Sequence, residues 1–598
     1  MSLLYDGDKS YKFEVGRNLL DIIQSNNLGM ESPCGGKGLC GKCKVKVLSG
    51  NINPLTNEEL KFLSRDEIDN KVRLGCLVYP EGDIYIEFLD KKNTNHKILS
   101  DGYMPNFEKK PLLRKEVYDI EKPTLDNNIP YEEILEKHFK CDFKDDYYLL
   151  KEIPNIFEYE KCTGVYIGEK LIGIEENDTQ DKLYSVAIDI GTTTVVCSLI
   201  DVKSKSEISS ESEINPQKEY GLDVLSRIHF IKNKENGLGT LHKLIISCIN
   251  DLIKKLCNKN SINISDIYEV SIAANTTMMH VLLNINPMSI GKSPYSPTFV
   301  KSKNIKSKDL GIEISKFGRV YLLPGVSSYI GADIVAGVCV SNLKETDKNT
   351  LFIDIGTNGE MVLSKKGELV SCSCAAGPAL EGMNISCGMR AGDGAIENIK
   401  IENEININTI GNQQPVGICG SGIVDAISEL ARLKLIGKTG RIAKKDVVKD
   451  NEKISHLSDY IVDENKKRRF IISKGDKEIS ITQEDIRQVQ LAKGAILSGI
   501  YALADQVNMD INELDEVIIA GQFGKHLSIE SLVGVGIIPK ELKDRITYIG
   551  NSSKTGAIMS LLSKDIRKNM DFIASDINYF ELSTKEGYER LFTDCLKF

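Results

Sequence analysis

The chain has 598 residues, 41% hydrophobic and 27% charged, so it is too long for a single hydrophobic core and three or four domains are expected. Its formal net charge of −9 argues against a nucleic-acid partner, because such binding needs clustered lysine and arginine. Since no apolar run reaches the roughly 18 residues of a membrane-spanning helix and the first residues lack a secretory signal, we expect a cytoplasmic protein with no membrane partner.

Residues 1–90 have the pattern of a small domain in which short strands surround one helix. The helix is predicted over 18–28, where leucine and isoleucine recur at helical spacing. A second, short helix is predicted to begin at the capping box formed by Thr56 and Glu59. Short apolar and β-branched runs bounded by turn residues predict five strands, at 2–5, 11–15, 44–48, 72–78 and 84–89.

Four of the fifteen cysteines lie in or near a glycine-rich loop of this region: Cys34, Cys40, Cys43 and, after 32 further residues, Cys76. The odd total in a long chain argues against a disulfide scaffold. The spacing C-x5-C-x2-C followed by a distant cysteine is close to that of plant-type [2Fe–2S] ferredoxins. Glycines in such a loop let main-chain N–H groups approach the cluster and stabilise its negative charge.

The same loop admits other interpretations. Residues 36–42 match most of a phosphate-binding P-loop, but that motif needs Ser or Thr where Cys43 stands and should follow a strand rather than a helix. Four cysteines would also suit a structural zinc site, and four unrelated cysteines are the plainest alternative. The order strand, strand, helix, cysteine loop, strand resembles the β-grasp [2Fe–2S] ferredoxins, with a first spacing similar to the adrenodoxin-like variants. This resemblance favours an iron–sulfur cluster.

The rest of the chain divides into three parts. Residues 91–122 are polar and rich in lysine, which predicts a linker. Residues 123–182 have a weak mixed pattern that predicts a small α/β middle domain. Residues 183–598 alternate apolar strands, glycine-rich turns and helices. The predicted fold is therefore multidomain, combining α/β and α+β parts.

One unit occurs twice in the last part: residues 185–201 read SVAIDIGTTTVVCSLID and residues 351–365 read LFIDIGTNGEMVLSK. Each is a strand, an Asp-Ile-Gly-Thr turn and a second strand, which predicts two related halves that face each other. Such a turn can cup phosphate oxygens with N–H and hydroxyl groups, while its aspartate, Asp189 or Asp354, holds Mg²⁺ through water. The phosphate-binding candidates are Gly191, Thr192, Thr193, Thr194, Gly356, Thr357 and Asn358.

Three later segments, at 417–427, 517–527 and 549–557, each combine a strand, a glycine turn and a helix start, which suits a nucleotide. Ordinary turn chemistry would account for any one of them alone. Together with the paired hairpins they resemble the actin, Hsp70 and sugar-kinase ATPases, over residues 183–560. The resemblance implies two ribonuclease-H-like lobes that close on ATP. The further nucleotide-binding residues proposed in these segments are Gly420, Ser421, Gly422, Gly521 and Gln522.

A ferredoxin domain joined to such an ATPase resembles the reductive activators of corrinoid proteins. The stretches at 215–230, 273–283, 324–337 and 376–396 resemble that family specifically, and the likeness spans nearly the whole chain. It implies ATP-dependent transfer of one electron from the cluster to inactive Co(II), which restores Co(I). The implied partners are a corrinoid-binding protein of a methyltransferase system and a low-potential electron donor, and the family suggests a homodimer.

The resemblance also implies roles for individual residues. Cys34, Cys40, Cys43 and Cys76 would ligate the cluster. Asp189 and Asp354 would position Mg²⁺ and water, and Glu360 and Glu381 are rival candidates for orienting the attacking water.

Two further features have plainer alternatives. In the loop 377–394, Ser386 would approach cobalt as a weak axial ligand, although a turn-rich structural loop would look the same. Cys372 and Cys374 would suit a second cluster or a redox pair, but burial on one strand is the simpler account.

Other function classes stay open. Activators of 2-hydroxyacyl-CoA dehydratases are similar ATPases, but they bridge their cluster between subunits and lack an N-terminal ferredoxin domain. A redox-regulated small-molecule kinase would need a sugar-like substrate pocket. A chaperone is disfavoured, because no Hsp70-like substrate domain follows residue 560.

Overall fold

The computed structural model describes residues 2–598 apart from positions 8, 27, 29, 31–35, 37, 39, 40, 90–101, 142, 144–146, 465, 466, 476, 477 and 522–526. The buried apolar side chains form separate clusters in an N-terminal domain, a small middle sheet and two large lobes. In the part of the chain described here, no helix is both long and apolar enough to cross a membrane.

The N-terminal domain is a five-stranded sheet packed against a helix. Its elements are β1 (Ser2–Asp6), β2 (Lys9–Phe13), α1 (Leu19–Ser25), β3 (Lys44–Ile52), α2 (Arg65–Asp69), β4 (Val72–Leu74) and β5 (Pro80–Phe88). The strand order is β2-β1-β5-β3-β4, with β1 antiparallel to β2 and parallel to β5. Helix α1 begins after Asn18, whose Oδ1 accepts a 2.8 Å hydrogen bond from Asp21 N. This sheet confirms the predicted β-grasp fold.

The capping box of Thr56 and Glu59 opens a 3₁₀ turn rather than an α-helix. Glu59 accepts a 3.0 Å hydrogen bond from Thr56 N as predicted, but its fully buried carboxylate also pairs with Arg73 at 2.8 Å. The side chain is therefore held by β4, and the next helix begins separately after Ser64.

The small middle domain is larger than predicted at its N-terminal end. Its elements are β6 (Leu113–Asp119), α3 (Tyr131–Phe139), α4 (Tyr147–Ile156), β7 (Lys161–Ile167) and β8 (Lys170–Glu176), with the antiparallel strand order β6-β7-β8. The last part of the predicted linker 91–122 is thus a strand. Its pattern was misleading because Lys115 points inward, where its Nζ lies 2.7 Å from a Glu175 oxygen and 2.8 Å from the Tyr268 hydroxyl.

The first lobe follows directly. Its elements are β9 (Tyr184–Ile190), β10 (Thr194–Asp201), β11 (Ser206–Ile214), α5 (Val224–Asn233), α6 (Gly237–Asn260), β12 (Ile267–Ala274), α7 (Thr276–Leu282), β13 (Lys303–Lys306), α8 (Ser307–Leu310), β14 (Arg319–Leu322) and α9 (Ala332–Val340). The strand order is β11-β10-β9-β12-β14-β13. Strands β9, β12 and β14 are parallel, and β10 is antiparallel to both of its neighbours.

The second lobe contains a sheet of the order β25-β24-β15-β16-β17-β26 and two small three-stranded sheets, β19-β18-β20 and β21-β22-β23. Its strands are β15 (Asn349–Ile355), β16 (Gly359–Lys365), β17 (Glu368–Cys374), β18 (Ala395–Ile401), β19 (Ile405–Thr409), β20 (Gly417–Ile418), β21 (Ile461–Glu464), β22 (Lys467–Lys474), β23 (Glu478–Thr482), β24 (Glu516–Ala520), β25 (Ile546–Gly550) and β26 (Asn578–Tyr579). Its helices are α10 (Gly420–Arg432), α11 (Lys445–Lys449), α12 (Gln483–Gln506), α13 (Ile529–Val535), α14 (Ser552–Leu562), α15 (Lys564–Asp576) and α16 (Tyr588–Cys595).

The two lobes repeat one strand order. The first sheet has the order β11-β10-β9-β12-β14, and the second has β17-β16-β15-β24-β25. In each, the first three strands form antiparallel pairs, and the last two are parallel to the third, β9 or β15. Between them lie α9 and α14, which pack on each other, and α14 is buried along its whole length. This arrangement confirms the predicted two-lobed ATPase fold.

Candidate functional site

The first hairpin is the turn between β9 and β10. Gly191 N donates a 2.8 Å hydrogen bond to Thr194 O, which closes the turn immediately after Asp189. The fully buried Asn215 holds it from behind, because its Nδ2 donates to Gly191 O and its main-chain N donates to Thr193 O, both at 2.9 Å. The turn is therefore fixed by hydrogen bonds to its main-chain atoms, and its hydroxyl groups are left to other partners.

The second hairpin repeats the device between β15 and β16. Gly356 N donates a 2.9 Å hydrogen bond to Asn358 O, and Gly377 N donates to Thr357 O at the same distance. Asp354 ends β15 and lies directly opposite Glu360 in the register of the two strands. The two carboxylates that the sequence placed around this turn are therefore cross-strand neighbours.

Glu381 joins the two hairpins. Its Oε1 accepts a 2.6 Å hydrogen bond from the Thr357 hydroxyl, and its Oε2 accepts a 3.0 Å bond from the Thr193 hydroxyl. Its side chain is buried. One carboxylate thus ties together the turns of the two lobes, a contact that no local sequence pattern indicated.

The two aspartates of the hairpins belong to a larger carboxylate cluster. Burial and the charge of Asp189 raise the pKa of Asp354 to about 7. Burial together with Asp354 and Asp189 also raises the pKa of Asp333 to about 7, and burial together with Asp333 and Asp354 raises that of Glu360 well above its usual value. Four acids thus share one poorly solvated cleft, which favours a bound cation or shared protons.

Asp333 was missed by the sequence analysis. It lies in the first turn of α9, and its Oδ1 accepts a 2.9 Å hydrogen bond from Ile334 N. The segment 324–337 that contains it was singled out as similar to the corrinoid-protein activators. The sequence signal for this residue is an acidic side chain two positions after Gly331, at the start of a helix.

Asp189 is held by two side chains at the start of α14, and neither is among the predicted site residues. Asn551 Nδ2 donates a 2.8 Å hydrogen bond to Asp189 Oδ2, and Ser553 Oγ donates a 2.7 Å bond to Oδ1. Burial raises the pKa of Asp189, while these two donors and the nearby Lys554 oppose that rise. Both donors lie in the segment 549–557, which was predicted to face a nucleotide.

The other predicted nucleotide residues have different surroundings. Gly521 has a φ of +91°, and a Cβ there would lie 2.6 Å from Asp354 Oδ1, so the turn after β24 lies against the cleft. Gln522 lies outside the described residues. Gly420, Ser421 and Gly422 open α10 and are buried; the Ser421 hydroxyl donates to Glu397 O at 2.8 Å. Their contact with a nucleotide stays a prediction.

A metal ion in this cleft would not be held by side chains alone. Among the residues that the structure covers, no three His, Cys, Asp or Glu side chains converge on one ion. Mg²⁺ usually keeps several waters and takes the rest of its shell from one or two carboxylates and substrate phosphates. The carboxylates of Asp189 and Asp354 are ligands of the kind that such a Mg²⁺–phosphate complex uses.

The N-terminal domain places two of the four predicted cluster ligands side by side. Cys43 and Cys76 are buried, and their Sγ atoms are 3.4 Å apart. Two thiolates bound to one tetrahedral metal, with metal–sulfur distances of about 2.3 Å, would lie roughly 3.8 Å apart, so these two sulfurs are close enough to share one metal. Gly41 has a φ of +64°, and a Cβ there would lie 2.7 Å from Phe62 Cβ, so this loop position requires glycine. Cys34 and Cys40 lie outside the described residues. The described half of the site fits an iron–sulfur cluster.

The two remaining sequence features have structural explanations. Cys372 and Cys374 are both buried on β17, and burial raises the pKa of each thiol, which disfavours a metal-binding thiolate. Ser386 is exposed, and Asp485 Oδ1 accepts hydrogen bonds from its main-chain N at 2.7 Å and its hydroxyl at 3.1 Å. The start of α12 thus fixes Ser386 on the surface.

Three family profiles match successive parts of the chain. Residues 4–81 match a profile described as "2Fe-2S iron-sulfur cluster binding domain". Residues 184–346 match "RACo middle region", and residues 348–598 match "C-terminal domain of RACo the ASKHA domain".

Individual relatives cover most of the chain. It is 32% identical over 578 residues to "Corrinoid activation enzyme RamQ" of Eubacterium limosum, which covers 94% of this chain and 93% of that protein. It is 23% identical over 444 residues to a "Co(II) methylated amine-specific corrinoid protein reductase" of Methanosarcina barkeri, covering 69% and 76% of the two chains. The solved structure of a "Reductive activator for corrinoid,iron-sulfur protein" has a TM-score of 0.72 and 32% identity, covering 100% of this chain and 98% of that chain.

Proposed function

This chain belongs to the family of ATP-dependent reductive activators of corrinoid proteins, and we propose that its carboxylate cleft couples ATP hydrolysis to the transfer of one electron from an N-terminal [2Fe–2S] cluster to the Co(II) of a corrinoid protein. The observation that carries this proposal is the bridge made by Glu381 between Thr193 and Thr357. Because that bridge joins the two lobes where the phosphates would bind, closing the cleft on ATP moves one lobe against the other.

The electron transfer needs such a coupling. When bound, the cluster supplies a one-electron donor near about −400 mV, the usual value for plant-type ferredoxins. An acceptor lower by about 100 mV would cost about 2.3 kcal/mol per electron. A cleft that binds ATP in one conformation of the complex and releases products in another can offset this cost, because ligands stabilise the conformation they bind best.

The cleft residues divide the work of hydrolysis. Asp189 and Asp354 would position Mg²⁺ and its water, and Asp333 lies near both in the same cleft. Because both oxygens of Glu381 are already engaged by the hairpin threonines, Glu360 is the residue that orients the attacking water. The N–H groups of the two turns, and the hydroxyls of Thr192 and Thr194 that Glu381 does not engage, would bind the phosphates. A bound Mg²⁺ would offset the charge repulsion that, together with burial, raises the pKa values of Asp333, Asp354 and Glu360.

The remaining parts of the proposal concern partners and surroundings. The cluster is ligated by Cys34, Cys40, Cys43 and Cys76 and is reloaded by a low-potential electron donor. The acceptor is the corrinoid-binding protein of a methyltransferase system. The protein acts in the cytoplasm as a homodimer, as the family resemblance suggests. Light scattering of the purified protein tests the dimer.

Ser386 is proposed to meet the cobalt of the acceptor. It is exposed, and Asp485 accepts hydrogen bonds from both its main-chain N and its hydroxyl, so the hydroxyl oxygen is held at a fixed position on the surface. Ser386→Ala should change the cobalt spectrum of the complex. An unchanged spectrum together with unchanged turnover would remove this residue from the mechanism.

One anaerobic experiment tests the whole function. The chemically reduced protein is mixed with a Co(II) corrinoid protein, with and without ATP and Mg²⁺, and the cobalt spectrum is followed. We expect Co(I) with ATP, little without it, and none with Asp354→Asn, a variant that retains the iron–sulfur spectrum. The same yield of Co(I) with and without ATP would contradict the proposal. Phosphate transfer to a sugar would favour the kinase alternative.

A further inference from the structure

Arg227 is a fully buried cation behind the first hairpin. It lies on α5 and is 0% exposed. Its guanidinium donates to Gly221 O at 3.0 Å, to Gln217 Oε1 at 2.9 Å, to Met278 Sδ at 3.1 Å and to the main-chain oxygen of Thr192. The last of these contacts is to the turn itself, so the positions of Arg227 and of the hairpin are linked.

All four of these acceptors are neutral. In the described part of the chain Arg227 forms no ion pair, whereas two other buried arginines, Arg73 and Arg567, each lie 2.8 Å from a glutamate oxygen. Burial lowers the pKa of Arg227 to about 9, so the group remains cationic at neutral pH. A buried charge without a counter-charge is costly, which is why such groups are normally paired.

The charged groups around Arg227 do not supply that counter-charge directly. Asp223 favours its cationic form but is engaged in capping α5, where it accepts a 2.7 Å hydrogen bond from Ser226 N. Glu381 also favours the cation but is held by the two hairpin threonines, and Arg390 opposes it. These two acids are thus occupied, and the charge of Arg390 disfavours the cationic form of Arg227 further.

We propose that Arg227 is a positioning residue of the ATP site, fixing the first hairpin through Thr192 and providing the buried positive charge that the nucleotide phosphates balance. This inference rests on the proposed ATPase function and deepens it. A planar guanidinium donates in several fixed directions at once, and the single ammonium of a lysine cannot reproduce that fork. Because a triphosphate carries more negative charge than a diphosphate, the same cation favours ATP over ADP.

The test compares two variants with a matched control. Arg227→Lys keeps the charge and loses the fork, and Arg227→Gln removes the charge. Arg567→Lys alters another buried arginine, whose partner Glu269 lies beside Ser185, at the opposite end of β9 from Asp189. Dissociation constants for ATP and ADP are measured by calorimetry, together with thermal unfolding and the KM and kcat of ATP hydrolysis.

We expect Arg227→Gln to weaken ATP binding about tenfold or more and ADP binding by less, raising KM more than it lowers kcat. Arg227→Lys should weaken ATP binding about threefold to tenfold while keeping the preference for ATP. Arg567→Lys should lower the melting temperature without changing either dissociation constant. If Arg227→Gln does not fold, the lysine variant decides, and wild-type ATP affinity in Arg227→Lys overturns the positioning role. A wild-type protein that binds no nucleotide would instead refute the proposed function.

Discussion

Gln24 of the ferredoxin domain donates a 2.5 Å hydrogen bond from its Nε2 to the main-chain oxygen of Glu219 in the first lobe. A neighbouring ion pair joins Asp21 to Lys234 across the same contact. Arg227 lies between these two lobe residues in the sequence, and its guanidinium holds the first hairpin by donating to the main-chain oxygen of Thr192. The ferredoxin domain therefore rests on the chain segment that also holds the first hairpin through Arg227.

This contact predicts that docking of the ferredoxin domain can be altered without touching the ATP site. Gln24→Ala combined with Lys234→Asp removes a partly buried hydrogen bond and replaces the ion pair with Asp21 by two like charges, which together cost about 1–2 kcal/mol. We expect small-angle scattering to show a more extended molecule and Co(II) reduction to slow, while ATP hydrolysis without partner stays near wild type. The matched control is Asp21→Lys with Lys234→Asp, which restores the ion pair. Unchanged scattering in the Gln24→Ala, Lys234→Asp protein would contradict a docked domain.

Glu381→Ala should disable the coupling between the hairpins. Removing the carboxylate leaves the hydroxyls of Thr193 and Thr357 without their common acceptor, so the two turns are no longer held in fixed relative positions. We expect kcat/KM for ATP to fall by about tenfold to a hundredfold, since charged hydrogen bonds contribute about 1.5–3 kcal/mol. Steady-state hydrolysis of the Ala variant and of the Thr193→Val, Thr357→Val double variant measures the effect. Near-additive losses in the combined triple variant would argue that Glu381 acts elsewhere.

The carboxylate cleft predicts a pH dependence of stability in the protein without ligands. Burial raises the pKa of Asp333 and of Asp354 to about 7, helped by the charges of Asp354 and Asp189 for Asp333 and by that of Asp189 for Asp354. Between about pH 4 and this value the folded protein binds more protons than the unfolded chain, so its free energy of unfolding falls as the pH rises through that window. Asp354→Asn should raise this free energy by about 1–2 kcal/mol at pH 8 and leave it nearly unchanged at pH 5.

Urea titrations at the two pH values measure this difference, with wild type beside the variant. Mg²⁺ should stabilise wild type at pH 8 and have less effect on Asp354→Asn. A stability of the variant that lies below wild type at pH 8 would show that the cleft acids do not repel one another.

The cluster can be separated from the ATPase by cysteine variants. Cys76→Ser should abolish the visible and paramagnetic signals of the iron–sulfur cluster, because this thiol lies beside Cys43 in the buried half of the site. ATP hydrolysis should persist, since the cleft lies in other domains. Cys372→Ala is the control: it removes a buried cysteine of β17 and should keep the full cluster signal. Loss of the cluster in the control would mean that the second cysteine pair binds metal after all.

Local sequence patterns predicted much of the fold and part of the candidate site. The β-grasp order, the repeated Asp-Ile-Gly-Thr unit and the positions of Asp189 and Asp354 follow from short sequence signals, because a strand, a tight turn and a strand are formed by neighbouring residues. Lys115 shows where such signals fail. A buried lysine gave β6 the pattern of a polar linker, and only its partners Glu175 and Tyr268, far along the chain, make its burial tolerable.

The sequence by itself determined the parts of this protein: a cysteine loop, two Asp-Ile-Gly-Thr hairpins and the order in which they occur. Only the tertiary structure decided how those parts act on one another. Crossover connections between parallel strands bring Asp333, Asn551 and Arg227 to the hairpins from distant segments. The packing of the two lobes places Glu381 where it hydrogen-bonds both Thr193 and Thr357. Such convergence depends on burial and on long-range strand register, neither of which a local pattern records.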